Sequence, residues 1–382
     1  MRRSVTRLHL VFLSFSCLIS LAVRTRAQGN EPPRKSFGPE GDTLSPLTLI
    51  QTIAMVGVPS FPFTDHLAVD VERHRVFATP HARKSVQVFD LNTGNFLHEI
   101  AGLGDPHSVL YRHDLDRIYV SDGEPGLLRI YDGSTYHQLR KVTLPLDADN
   151  CGYDPATKLL YVSTSGAPRK LDYSLLNIVD TTTGTLVSNI KISSPIIEQM
   201  VMENSGVRIY INVTSANEIA VLDRQQRAVV TTWPISRAKN NFSVALDEVH
   251  HRLFVGCRNT GLHGGMSGVV VVLDTQDGRE IDTLPIGGWI DNLFLDPATK
   301  RLYANCGTGH VYVYQEGESA QFSLVWKAET GLLARTGLLV PELQRFLVSV
   351  PHIGSQAGRI LVFQVARLSN ASSAAKPGPT SQ

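Results

Sequence analysis

The sequence predicts an all-β protein, a seven-bladed β-propeller with four antiparallel strands in each blade. Three observations carry this: a triplet recurring along the chain, alternating strand patterns around each copy, and no convincing amphipathic helix beyond the N-terminal segment. The triplet is basic–aliphatic–aromatic, as in Arg75-Val76-Phe77, Arg117-Ile118-Tyr119 and Arg208-Ile209-Tyr210. It returns in Arg252-Leu253-Phe254 and Arg301-Leu302-Tyr303, as Leu159-Leu160-Tyr161 and, more loosely, as Arg345-Phe346-Leu347. The period is about 44 residues, the length of one propeller blade.

Each unit reads as four strands. A short apolar stretch such as Leu67–Val69 comes first, followed by a turn spelled twice as Asp-Pro-Ala-Thr-Lys, at 154–158 and 296–300. The aromatic strand is second. The third alternates and often ends on aspartate (Asp90, Asp132, Asp180, Asp223, Asp274), before a turn into the outer strand. The seventh unit lacks its outer strand, which is available at the other end as Leu47–Met55. Pairing it with the last three strands closes the ring and protects its sheet edges. Six blades with that strand discarded is the alternative. The propeller is thus expected over residues 47–366.

Residues 1–27 have the layout of a secretory signal peptide: Arg2, Arg3 and Arg7, an apolar run from Leu10 to Val23, then Thr25 and Ala27 before the cleavage point. The run is shorter than the roughly 20 residues of a membrane span, so no span is expected after cleavage; an uncleaved anchor is the alternative. Residues 28–46, with their prolines and glycines, read as a linker, and the Ser/Ala/Pro-rich stretch at 367–382 reads as a disordered tail. The expected location is periplasmic or secreted.

Cleavage takes Lys+Arg from 36 to 31 against 35 Asp+Glu, a net charge of −4. A mildly acidic chain with no basic run has no electrostatic footprint for nucleic acid. Cys151, Cys257 and Cys306 remain, an odd number with no CxxC spacing, which reads as core filling.

The blade signature, with His66 and Pro106-His107 opening blades and Tyr161-Val162-Ser163 within one, resembles the YncE-like, YVTN-repeat family of bacterial exported propellers. The resemblance covers roughly residues 47–366. It implies a periplasmic or secreted propeller and specifies no activity.

In a propeller, the loop entering the first strand of each blade and the loop leaving the second emerge on one face, near the axis. The blade entrances read Asp65-His66, Pro106-His107, Asp149-Asn150, Glu198-Gln199, Asn240-Asn241, Asp291-Asn292 and Ala334-Arg335. The candidate ligand funnel is therefore His66, His107, Asp149, Asn150, Glu198, Asn241, Asp291, Asn292 and Arg335. Loops after second strands add His81, Asp122, Glu124, Arg258, Asn259, His263 and His352. A merely solvated channel is the plainer reading of the same residues. Asp149, Glu198, Asn241 and Asp291 offer the oxygen ligands calcium prefers, a set similar to that of gluconolactonase-like propellers. His66 and His107 could instead bind a transition metal; hydrogen-bonded structural histidines are the plainer reading of the pair. No GxSxG or HExxH occurs, and 261–268 resembles a phosphate loop only in its glycines.

The expected function is a binding or scaffold propeller. It would be monomeric, require no cofactor, and take a small molecule or a protein partner on its axial face. The alternative is a calcium-dependent lactonase-like hydrolase or lyase acting on a lactone or sugar-like substrate, with its catalytic residues unassigned.

Overall fold

The computed structural model describes residues 45–61, 63–258 and 265–367. Their strands form seven four-stranded antiparallel sheets with almost no helix: the chain is a seven-bladed β-propeller. Blades 1 to 6 occupy residues 67–100, 106–143, 148–192, 200–234, 241–287 and 290–329. Blade 7 combines Thr336–Val340, Arg345–Val350 and Arg359–Val365 with the N-terminal strand Leu47–Ala54 as its outer edge. That strand pairs from Leu47↔Val365 to Ala54↔Arg359. Met55, expected inside it, lies just beyond, with its amide still donating to Gly358 O at 3.0 Å. The proposed signal peptide, nearly all of the linker, and the tail beyond Arg367 lie outside the described residues. Among those described, no helix is long and apolar enough to cross a membrane.

The recurrent aromatic explains why the blades form a ring. Side chains alternate faces along a strand, so the aromatic of each second strand points at the following blade while its neighbours point at the preceding one. Phe77 packs with Ile118 and Val120 of blade 2, and Tyr119 with Leu160 and Val162 of blade 3. Tyr161 meets Ile209 and Ile211, Tyr210 meets Leu253 and Val255, and Phe254 meets Leu302 and Ala304. Each is essentially inaccessible to water, a burial that contributes about 1.5–3 kcal/mol per aromatic side chain. Tyr119 also donates its hydroxyl to Thr181 O of blade 3 at 2.6 Å.

Blade 7 departs from the rule. Its aromatic sits one residue early, and a one-residue shift changes its face. Phe346 therefore turns back onto Tyr303 of blade 6, with ring centroids 5.2 Å apart. Leu347 faces blade 1 instead, against Val76 and Ala78, and Phe89 of blade 1 joins the same cluster. The interface that closes the ring thus draws its aromatic from the other side.

The aspartates that end third strands set the next turn. Asp90 Oδ1 accepts from the amides of Asn92 and Thr93 at 2.9 and 2.7 Å. Asp132 and Asp223 do the same for Ser134, Thr135, Gln225 and Gln226. This local side-chain-to-backbone bonding is why aspartate suits the position.

If blade 7 depends on its N-terminal strand, deleting residues 47–56 exposes Arg359–Val365 as a sheet edge. The truncated protein should aggregate at concentrations where the parent is monodisperse by light scattering. A soluble truncation that melts with the parent would exclude this closure.

Candidate functional site

Seven first strands begin around the axis, and the backbone there is locally irregular. Register shifts interrupt the first-to-second strand pairing at Pro106/Val109, Ala148/Cys151, Asn241/Ser243 and Ile290/Asn292. Asp147, Asn240, Trp289 and Leu333, just ahead of four entrances, are left-handed at φ 67°, 55°, 60° and 59°. Bulges and left-handed residues redirect side chains, and here they decide which entrance residues face the funnel.

One group lies on blades 1 to 4. His107 donates Nδ1–H to Asp65 Oδ2 at 2.8 Å and Nε2–H to Asp105 Oδ2 at 3.2 Å. Asp149 Oδ1 stands 3.7 Å from the same Nδ1, and His81 Nε2 lies 2.9 Å from Asp105 Oδ1. His66 donates to Asn150 Oδ1 at 3.1 Å. The Asn150 amide in turn donates to Asp149 Oδ2 at 3.1 Å and reaches within 3.5 Å of Glu198 Oε2. His66, His107, Asp149, Asn150 and Glu198 are therefore brought together as expected.

A second group lies on blades 5 to 7. Asp291 takes Arg258 Nη2 on Oδ1 at 2.9 Å and Arg335 Nε on Oδ2 at 3.0 Å. Each guanidinium also covers an aromatic face: Arg258 lies 3.2 Å from the Phe242 ring centroid and Arg335 4.4 Å from that of Phe63.

The groups differ electrostatically. Burial drives His107 toward its neutral form, but Asp149, Asp105 and Asp65 outweigh it and hold the imidazole well above its ordinary pKa. Burial raises Asp65 and Asp105, yet the histidines around them win and hold both carboxyls well below the usual range. For Asp149 burial wins, and its carboxyl is pushed up to about 6. Glu198 is raised well above its usual value by burial, then by Asp149. Burial lowers Arg258 to about 10. One half thus holds the charged His107 imidazole among carboxylates, while the other holds two guanidinium cations on one carboxylate.

Other expected residues serve the scaffold. Asn241 is fully buried and its amide donates into the blades, to Asn212 Oδ1 at 2.8 Å and Glu218 O at 2.9 Å. Asn292 Oδ1 accepts the Gly337 amide at 2.9 Å, tying blade 6 to blade 7. Asp122 is buried, pairs with Arg129 at 2.7 Å and accepts the amides of Gly104 and Asp105. His352 bonds Val58 O at 2.7 Å, and Glu124 is exposed. Asn259, His263 and the first half of 261–268, residues 261–264, lie outside the described residues. The calcium quartet is consequently divided: Asn241 turns into the blade, Asp291 is held by two guanidiniums, and Asp149 and Glu198 remain beside each other's group. Among the described residues, the three-residue His/Cys/Asp/Glu groups compact enough to share an ion are Asp65–His81–His107 and Asp247–His250–Glu316. Asp105, which bonds both His81 and His107, went unnoticed beside Pro106-His107; proximity to that pair was its only signal.

Next to the first group is a cavity of about 190 Å³, lined by His66, Ser108, Asn150, Cys151, Gln199 and Asn292 among others. Among the described residues the three cysteines are unpaired, and burial raises the Cys151 and Cys257 thiols to about 12, as suits unreactive core fillers.

No family model and no curated protein matches the chain. Its fold is similar to a chain of Kuenenia stuttgartiensis hydrazine synthase, at 16% identity and TM-score 0.67, covering 82% of this chain and 98% of that one. It is also similar to a chain of the mitotic checkpoint complex (14%, TM-score 0.68, covering 90% and 99%) and to U3-55K (13%, TM-score 0.67, covering 83% and 98%). At these identities the likeness establishes the propeller fold.

Two substitutions separate the halves. Asp291→Asn strands two partly buried guanidiniums and should cost about 3 kcal/mol or more. For Glu198, the unfolded carboxyl ionises near pH 4.3 and the folded one only later, so stability falls as pH rises from about 4.3 through its elevated value. Glu198→Gln removes that loss: it should melt above the parent at pH 8 and level with it below about pH 4. Thermal melts at both pH values check the signs; a Gln variant that melts below the parent at pH 8, or an unaffected Asn variant, contradicts them.

Proposed function

We propose that the chain is an exported β-propeller of the YncE-like, YVTN-repeat kind. It acts as a binding protein, and its axial funnel holds a small, hydroxyl-rich molecule. The observation that carries this is the convergence of Asp149 Oδ2 and Glu198 Oε2 on the Asn150 amide, beside a cavity that Asn150 and Gln199 line. A buried carboxyl raised as Glu198 is can donate as well as accept hydrogen bonds, while Asp149 accepts them. Together with amides, they match the mixed donors and acceptors of a polyol or sugar-like ligand. The neighbouring cavity is below the usual range of drug-sized pockets, about 300–1,000 Å³, so the ligand is small or enters only in part. Export is supported by the n-region, apolar run and small residues of 1–27. The hydrolase reading is not favoured, because its oxygen ligands are divided between the two groups.

Thermal melts with a panel of monosaccharides, aldonic acids and lactones test the site. A ligand at ten times its Kd stabilises by about 1.4 kcal/mol, a shift of a few degrees. At least one panel member should produce it, and Asn150→Ala should abolish it. A panel that moves no melt, or a shift unaltered in Asn150→Ala, would refute this site. Export is checked separately: secreted material should begin at or near Gln28, and a retained Met1 would favour an anchor.

A further inference from the structure

The oxygen quartet expected from the sequence is divided, but a different constellation is assembled at the same face. Asp65 at the entrance of blade 1, His81 on the turn His81–Arg83 and His107 at the start of blade 2 each bring one ligand atom to within 4.8 Å of the others. Asp105 holds both rings from outside, its two oxygens lying 2.9 Å from His81 Nε2 and 3.2 Å from His107 Nε2. From this geometry we infer that Asp65, His81 and His107 form a binding site for one divalent transition-metal ion, with Asp105 as the carboxylate that orients both imidazoles.

Two imidazoles and a carboxylate select borderline ions such as zinc over calcium or magnesium, which take oxygen. Metal-bound histidines almost always give their second ring nitrogen to a carboxylate, and Asp105 is placed to do this for two of them. Asp105 is itself fixed by Asp122, which accepts the Asp105 amide at 2.7 Å. The His81 ring is stacked on Phe61, with centroids 5.4 Å apart and planes 7° from parallel. Gly123 leaves the room the pair needs: a Cβ there would lie 3.0 Å from His107 Nε2 and 3.4 Å from Asp105 Oδ2. The ligands come from the loop entering blade 1, the turn after its second strand and the first strand of blade 2, so the site is fixed by the fold.

The second compact group shows what such a cluster looks like when its cation is already built in. Between Asp247 and Glu316 stands Arg252, its Nη2 2.6 Å from Glu316 Oε1 and bonded also to Asp247. A metal ion there would meet a guanidinium that cannot lose its charge. At the axial cluster the groups among the carboxylates are imidazoles, whose ring nitrogens can offer a metal ion a lone pair. Arg335, the guanidinium acting on Asp65, is paired with Asp291.

This inference does not rest on the sugar-like ligand, because occupancy is read with no organic molecule present. The mature protein, stripped with chelator and desalted, is titrated with zinc chloride by calorimetry, and the bound metal is counted by elemental analysis after dialysis. One zinc per chain is expected, with excess calcium unable to displace it. His81→Ala, on a partly exposed turn and so compatible with folding, should weaken binding at least tenfold. Asp105→Asn should weaken it by tenfold to a hundredfold, the usual range for an orienting carboxylate. His250→Ala should bind like the parent. Cobalt in place of zinc should show visible absorption bands of nitrogen–oxygen coordination that His81→Ala loses. No retained zinc in the parent, an unchanged affinity in His81→Ala, or loss in His250→Ala would each overturn the assignment.

Discussion

The ring stands on one repeated contact: an aromatic of each second strand, shut from water between its own blade and the next. Because the residues on either side of it point the opposite way, every blade is apolar on both faces and has no stable life apart from its neighbours. Phe77, Tyr119, Tyr161, Tyr210, Phe254 and Tyr303 make six of these contacts, and at the closing interface Leu347 and Phe89 divide the task. Everything at the axis follows from this. First strands are pressed inward by packing behind them, so their opening residues converge whatever their charges, and the fold supports the cost of crowding carboxylates.

How that cost is met differs around the ring. On blades 1 to 3 it is met at His107, whose charge stands among Asp65, Asp105 and Asp149, while burial raises Asp149 to about 6 and shifts Glu198 on blade 4 the same way. On blades 5 to 7 it is met by guanidinium groups that lie on aromatic rings and clasp Asp291. A proton can be exchanged for a metal ion or shared with a hydroxyl, whereas a guanidinium held in place can do neither. The chemically adaptable part of the funnel is therefore the part built by blades 1 to 4.

Much of this was legible in the sequence. The triplet period, the aspartate-ended third strands and the missing last strand lead to seven blades closed by the N-terminal strand, because each reports a local requirement of strand, turn or edge. The entrance positions were legible for the same reason. Side-chain direction was not. Asn241 and Asp291 open consecutive blades with similar polar residues, yet one turns into the sheet and the other into the funnel: Asn241 pairs with Cys257 ahead of its blade's register shift, whereas Asp291 is the unpaired residue within the shift between Ile290 and Asn292. Asp291 was expected as an oxygen ligand beside Asp149 and Glu198; two arginines from different blades hold it instead. Asp105 was overlooked because it precedes its strand. Its backbone is held under the histidines by Asp122, which accepts the Gly104 and Asp105 amides, and by the Gly123 amide, which donates to Asp105 O at 2.7 Å. The early aromatic in blade 7 was visible as an irregular triplet, but its consequence depends on which face meets which blade.

The central claim is that blades 1 to 3 share one buried charge network about His107, with carboxylates on both ring nitrogens. Imidazole nitrogen-15 spectra of the metal-free protein test it most directly. Both His107 nitrogens should remain protonated at pH 7.5, well above the point at which an ordinary histidine, near pH 6.5, has lost its charge. A neutral His107 tautomer at pH 7 would mean that the three entrances do not converge as described.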